Sequence, residues 1–126
     1  MIGIGTDILE IDRIVEVWRR QGQKLPQRIL TPNELSQFSG LLNEESQARF
    51  LAKRWCAKEA ISKALGTGIS NGVGWQQMEV AHDDLGKPLV VLSGAAEQRL
   101  NQLGGQQVLI SISDERHYVV AFSTIS

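Results

Sequence analysis

The clearest pattern along the chain is a change of hydrophobic period. Over residues 2–8, Ile2, Ile4 and Ile8 alternate with Gly3, Gly5 and Asp7, which predicts a strand with one apolar face and one stripped bare by glycine. Such a face lets a ligand or another backbone approach closely. A plainer reading has the glycines mark a bend and Asp7 cap the following helix. Over 10–21 the period becomes helical. Ile11, Ile14, Val15 and Trp18 share one side, Arg13, Val17 and Arg20 the other, and Gly22 ends the helix. Thr31-Pro32-Asn33-Glu34 is a helix start with a capping box, leading a short helix to about Phe38. Asn43 caps a long helix from about Glu44 to Leu65, stopped by Gly66.

The second half reads as strands at 75–81 and 88–92 joined by a turn-rich link, a helix at 94–103, and a second hairpin at 107–113 and 117–125. In 107–113, Val108, Ile110 and Ile112 alternate with Leu109, Ser111 and Ser113, so one face is partly polar. Helices and strands interleave without a sustained βαβ period, which predicts an α+β domain over 1–126, an antiparallel sheet packed against a long helix.

Composition narrows the function classes. The chain has 126 residues, 42% of them hydrophobic, and a net charge of −1. No global field points to nucleic acid or a membrane surface. A single Cys precludes an internal disulfide and fits a reducing cytoplasm. No apolar stretch approaches a membrane span, and the first residues lack the basic and apolar regions of a secretory signal. The exception to the even balance is local. Between Arg13 and Arg28 the basic residues are Arg13, Arg19, Arg20, Lys24 and Arg28, against one acid, Glu16. This is either a solvated face or a dock for an acidic partner.

The chemistry concentrates on the long helix. Phe50, Ala57, Ile61, Ala64 and Leu65 form a buried stripe, while Glu59 points elsewhere, among Ala52, Trp55, Cys56 and Lys63. A carboxylate covered by small and apolar residues needs a partner, and a divalent cation would serve. A simple Glu59–Lys63 pair at i,i+4 is the structural alternative. It leaves Arg54 and Lys58 unexplained, since like charges four apart cost about 0.2–0.5 kcal/mol. A bound phosphate would account for them. The run Gly66-Thr67-Gly68 follows the lysine and is not a Walker loop. Cys56 reads as a core thiol, and His82 and His117 form no local metal pattern.

Two motifs, Ile4-Gly5-Thr6-Asp7-Ile8 and Lys58-Glu59-Ala60-Ile61-Ser62-Lys63-Ala64-Leu65-Gly66-Thr67-Gly68, resemble those of the holo-acyl-carrier-protein synthases, the small bacterial class of 4′-phosphopantetheinyl transferases. Gly86-Lys87-Pro88 and Ile110-Ser111-Ile112-Ser113 extend the resemblance nearly end to end. It implies the fold of that family and transfer of phosphopantetheine from coenzyme A to a serine of apo acyl carrier protein, releasing adenosine 3′,5′-bisphosphate. By similarity, Asp7 and Glu59 would hold Mg²⁺ and Lys63 would neutralise the transferring phosphoryl group. Arg54, Lys58, Ser62, Gly66, Gly68, Gly86, Lys87 and Pro88 would line coenzyme A. Arg13, Val17, Arg20 and Arg28 would dock the carrier. A metal-bound water or Glu59 would take the serine proton; the residues do not choose. The family implies a cytoplasmic homotrimer with sites between subunits. Where many relatives place a His after the closing strand, this chain has Asp114, and His117 lies across a turn. The competing functions are a Mg²⁺-dependent pyrophosphate hydrolase and a non-catalytic coenzyme A- or carrier-binding module.

Overall fold

A computed structural model describes residues 1–126. Its elements are β1 (Gly3–Glu10), α1 (Ile11–Gln21), α2 (Lys24–Ile29), α3 (Pro32–Ser39), α4 (Glu44–Ala64), β2 (Met78–His82), β3 (Pro88–Leu92), α5 (Gly94–Gln102), β4 (Val108–Asp114) and β5 (Tyr118–Ile125). The α+β reading holds, but the strands form two antiparallel sheets, β1-β5-β4 and the separate hairpin β2-β3. Residues 75–77, expected as strand, form a single 3₁₀ turn before β2. Helix α2 was not expected: it is six residues long, contains Pro26, and is too short to display a helical stripe.

The start signals act as their chemistry requires. Thr31 accepts from the Glu34 amide while the Glu34 carboxylate accepts from the Thr31 amide, completing the capping box of α3. Asn43 Oδ1 accepts from the Ser46 amide at 2.8 Å and opens α4. Asp7 does not cap α1. The cap position is Glu10, three residues on, and it makes no side-chain cap bond.

Helix α4 runs through the centre of the molecule and packs on one face of the three-stranded sheet. Gly3 and Gly5 determine how closely. A Cβ at Gly3 would stand 2.2 Å from the Ala64 carbonyl oxygen, and one at Gly5 would stand 2.1 Å from that of Ala60. The stripped face of β1 thus admits a backbone, that of α4. The sheet's other face is uncovered in the single chain. Ile8 is 65% exposed and Phe122 42%, and Ile2, Ile4, Leu109, Tyr118 and Val120 share that exposure. Register aligns them in rows: Ile4, Thr124 and Leu109; Thr6, Phe122 and Ser111; Ile8, Val120 and Ser113. No helix is long and apolar enough to cross a membrane.

Candidate active site

Close packing of β1 on α4 brings Asp7 beside the helix face that carries Glu59 and Lys63. Lys63 Nζ donates to Asp7 Oδ1 at 3.1 Å and to the Thr6 carbonyl at 3.0 Å. The i,i+4 pair between Glu59 and Lys63 is therefore not what occupies Lys63. Burial, then the negative charge of Asp7, raise the Glu59 pKa, and Lys63 offsets them only in part. Beneath them the Cys56 thiol is sealed in the core and donates to the Asp7 carbonyl at 3.3 Å. Burial, then the Asp7 charge, push that thiol up to about 12, so it stays protonated and unreactive.

Two carboxylates that repel one another at the surface of a helix suit a hard divalent cation. The donor set is oxygen only, and two protein ligands leave positions for substrate oxygens and water, as Mg²⁺ prefers. The raised Glu59 pKa comes first from burial and only second from Asp7, whose charge such an ion would offset.

A second basic site lies between α3, α4, the β2-β3 hairpin and β4. It is a cleft of about 570 Å³, with Arg49, Lys53, Arg54, His82, Gly86 and Pro88 among its walls. Arg54 is only 4% exposed, and its guanidinium lies 4.3 Å from the centre of the Phe50 ring. Its Nε is buried without a hydrogen bond, 3.5 Å from Glu34 Oε2. Its charge faces Glu34, so the cations the cleft leaves open to an anion are Arg49 and Lys53. Burial, then the charges of Arg54 and Lys53, lower the His82 pKa, so this imidazole is neutral at pH 7.

The structure thus divides the predicted residues. Asp7, Glu59 and Lys63 come together; Arg54, Gly86 and Pro88 come together elsewhere. The first group faces β1 and the second reaches β4, opposite edges of the β1-β5-β4 sheet. Lys87 lines a different cavity, against β3 and α5. Two expected coenzyme A contacts are corrected. Lys58 is fully buried, and its Nζ donates at 2.6 Å both to Glu34 Oε1 and to the Ile29 carbonyl. Glu34, not a phosphate, is the reason for its charge. Ser62 is also fully buried, its hydroxyl spent on the Glu59 carbonyl at 2.8 Å. Gly66 and Gly68 have positive φ, and the Gly68 amide donates to the Ser62 carbonyl at 3.0 Å, so both terminate α4. Gly66 also lines a polar cavity beside Arg99. On α1, Arg13 and Arg20 are exposed and Val17 half-buried; Arg28, on α2, is exposed as well.

Sequence reasoning missed the second role of Glu34. Its place in the capping box already explained it, and nothing local links it to α4. The carboxylate ties α3 to Lys58 and also accepts from the Val80 amide at 2.9 Å.

The profile of the 4′-phosphopantetheinyl transferase superfamily matches residues 3–123. The chain belongs to that superfamily. It is 50% identical over 121 residues to the holo-[acyl-carrier-protein] synthase of Vibrio cholerae serotype O1 (strain M66-2), covering 96% of this chain and 94% of that one. The crystal structure of holo-[acyl-carrier-protein] synthase from Neisseria meningitidis superposes with a TM-score of 0.92 at 40% identity, covering 100% of this chain and 98% of that one. The holo-(acyl-carrier-protein) synthase from Bacillus anthracis, solved in complex with coenzyme A (3′,5′-ADP), gives a TM-score of 0.81 at 37% identity, covering 98% and 95%. The chain is a phosphopantetheinyl transferase of the holo-[acyl-carrier-protein] synthase kind.

Proposed function

We propose that the chain transfers 4′-phosphopantetheine from coenzyme A to a serine of apo acyl carrier protein, in a Mg²⁺-dependent reaction that serves fatty acid synthesis in the cytoplasm. The observation that carries the reading is the meeting of Asp7, Glu59 and Lys63 at the β1–α4 contact. Asp7 and Glu59 hold the metal, which when bound neutralises the pyrophosphate of coenzyme A. Lys63, released from Asp7, lies against the equatorial oxygens of the transferring phosphoryl group. The serine oxygen bonds to that phosphorus as the phosphoanhydride bond breaks, the serine proton leaves to a base, and adenosine 3′,5′-bisphosphate departs. Charge stabilisation and alignment are most of what such a transfer asks of a protein.

The cleft of Arg54, Gly86 and Pro88 takes the nucleotide end of coenzyme A. It is lined from β4, the sheet edge opposite the strand of Asp7, and a second chain would bring such a cleft against the carboxylates. The exposed Ile4, Ile8, Val120 and Phe122 face provides for that: it is apolar, contiguous and uncovered in one chain. Three copies assembled through it form a homotrimer, each site combining one copy's carboxylates with a neighbour's cleft. Arg13, Arg20 and Arg28, with Val17 between them, dock the acidic carrier.

Chromatography of coenzyme A incubations with Mg²⁺ separates the readings. Release of adenosine 3′,5′-bisphosphate only when apo carrier is present supports transfer. Cleavage without carrier identifies a hydrolase, and binding without cleavage a non-catalytic module.

A further inference from the structure

Asp114 closes β4 with its carboxylate turned to α4. Arg49 Nη1 donates to Asp114 Oδ2 at 2.8 Å, and Lys53 Nζ lies 3.2 Å from Asp114 Oδ1. Arg49 and Lys53 stand one helical turn apart and both line the basic cleft. The third cation there, Arg54, is committed to Glu34. Asp114 therefore engages both cations that the core leaves free. Its own side chain is 26% exposed, as are those of Arg49 (30%) and Lys53 (35%), so a soluble anion can reach all three. Burial pushes the Asp114 pKa up, but the hydrogen bonds and charges of Arg49 and Lys53 outweigh it and hold the carboxyl below the usual range, ionised at neutral pH.

The contact is not needed to anchor the β4–β5 turn. Arg49 also donates to the Glu115 carbonyl at 2.9 Å and the Arg116 carbonyl at 3.3 Å. Glu115 braces the same turn from within, accepting from the His117 and Tyr118 amides at 2.6 and 2.9 Å. Remove the Asp114 charge and these bonds remain. What changes is the uncompensated positive charge that Arg49 and Lys53 present to a ligand.

We propose that Asp114 is an internal counter-ion of the cleft, competing with the phosphate groups of its ligand for Arg49 and Lys53 and so setting how tightly the cleft holds an anion. The inference rests on the reading of the cleft as the site for the nucleotide end of coenzyme A. Asp114 has no part in bond making. Weakened retention of a polyanionic product favours turnover.

Titration calorimetry tests it on the full-length protein, with adenosine 3′,5′-bisphosphate and separately with inorganic tripolyphosphate. The chains compared are the wild type, Asp114→Asn and Glu115→Gln. Glu115→Gln removes a carboxylate one residue away that pairs with neither cation, and its amide oxygen can still brace the turn. Asp114→Asn should bind either probe about three- to tenfold more tightly, the range that a competing exposed ion pair or two can supply. Glu115→Gln should stay within about twofold of wild type. Equal affinity in wild type and Asp114→Asn overturns the proposal, as does equal tightening in both variants. Tripolyphosphate binding with the Asp114 effect, but no nucleotide binding, overturns the nucleotide reading and sustains the counter-ion. Nucleotide binding without the Asp114 effect does the reverse. Binding of neither probe overturns both.

Discussion

Lys63 of α4 holds Asp7, a carboxylate 56 residues earlier in the chain, at 3.1 Å. The pairing exists because Gly3 and Gly5 let β1 lie directly on the helix. Lys63 is half exposed, so the ion pair adds little to stability. Its value is local: it keeps a cation and a carboxylate beside the half-buried Glu59.

Glu59 gives this arrangement a pH signature. Its pKa is raised in the folded protein by burial and then by Asp7. The folded state therefore binds the Glu59 proton more tightly than the unfolded chain does. The Glu59 contribution to stability is full below the unfolded value, about 4.3, and is lost as pH rises through the higher folded value. Glu59→Gln should leave Tm unchanged near pH 4 in metal-free protein and raise it by about 1–3 °C at pH 7. The same variant should lose transfer activity. Thermal scans of both chains across that range decide it; a lower Tm for Glu59→Gln at pH 7 contradicts the electrostatic account.

Gly5→Ala tests the packing that creates the site. A methyl group there would meet the Ala60 carbonyl oxygen at 2.1 Å and the Ala64 amide nitrogen at 2.6 Å, both rigid backbone. The strand must lift off the helix, at a cost of about 1–3 kcal/mol or more. Urea denaturation should register that loss, and activity at low urea should fall further than stability, because Asp7 moves with the strand. A variant of wild-type stability would mean that β1 does not lie where it is described.

The buried ions make a separate prediction. Glu34 is 1% exposed and neutralises Lys58, which is wholly buried. Glu34→Ala strands a charge in the core and should cost about 3–5 kcal/mol by chemical denaturation. Lys58→Met should also destabilise, yet leave KM for coenzyme A within about twofold where the protein is folded. A large rise in KM with little loss of stability would restore Lys58 to the ligand site.

The exposed sheet face predicts assembly. Phe122 sits centrally, between Thr6 and Ser111 in its row. Phe122→Asp buries a charge in any interface formed there, a change of several kcal/mol in association. Sedimentation should show trimers for the wild type and monomers for the variant, with transfer activity lost and the fold retained. Trimers in both would move the interface elsewhere.

Much of this was legible in the sequence where the signals are local. Periodicity and caps located β1, α1, α3 and α4 because backbone propensity and one buried face decide those elements. Glu59 was legible because an acid on a covered helix lacks a structural excuse, and Asp7 and Lys63 joined it through the resemblance of two motifs to a family; the glycines of β1 serve its packing on α4. Long-range pairing was not. Nothing near Lys58 announces Glu34, and nothing near Arg49 announces Asp114; each partner arrives by tertiary packing. The division of the basic cleft from the carboxylates was hidden too, since strand order, β1-β5-β4, is not written in period or composition.

The central claim is that Asp7 and Glu59 support phosphopantetheine transfer to a carrier. Intact-protein mass spectrometry of apo acyl carrier protein, incubated with coenzyme A, Mg²⁺ and this protein, tests it most directly. The carrier should gain the mass of one phosphopantetheinyl group, and gain nothing with folded Asp7→Ala or with Mg²⁺ chelated. An unmodified carrier that a second transferase can modify, or full modification by Asp7→Ala, would contradict the account.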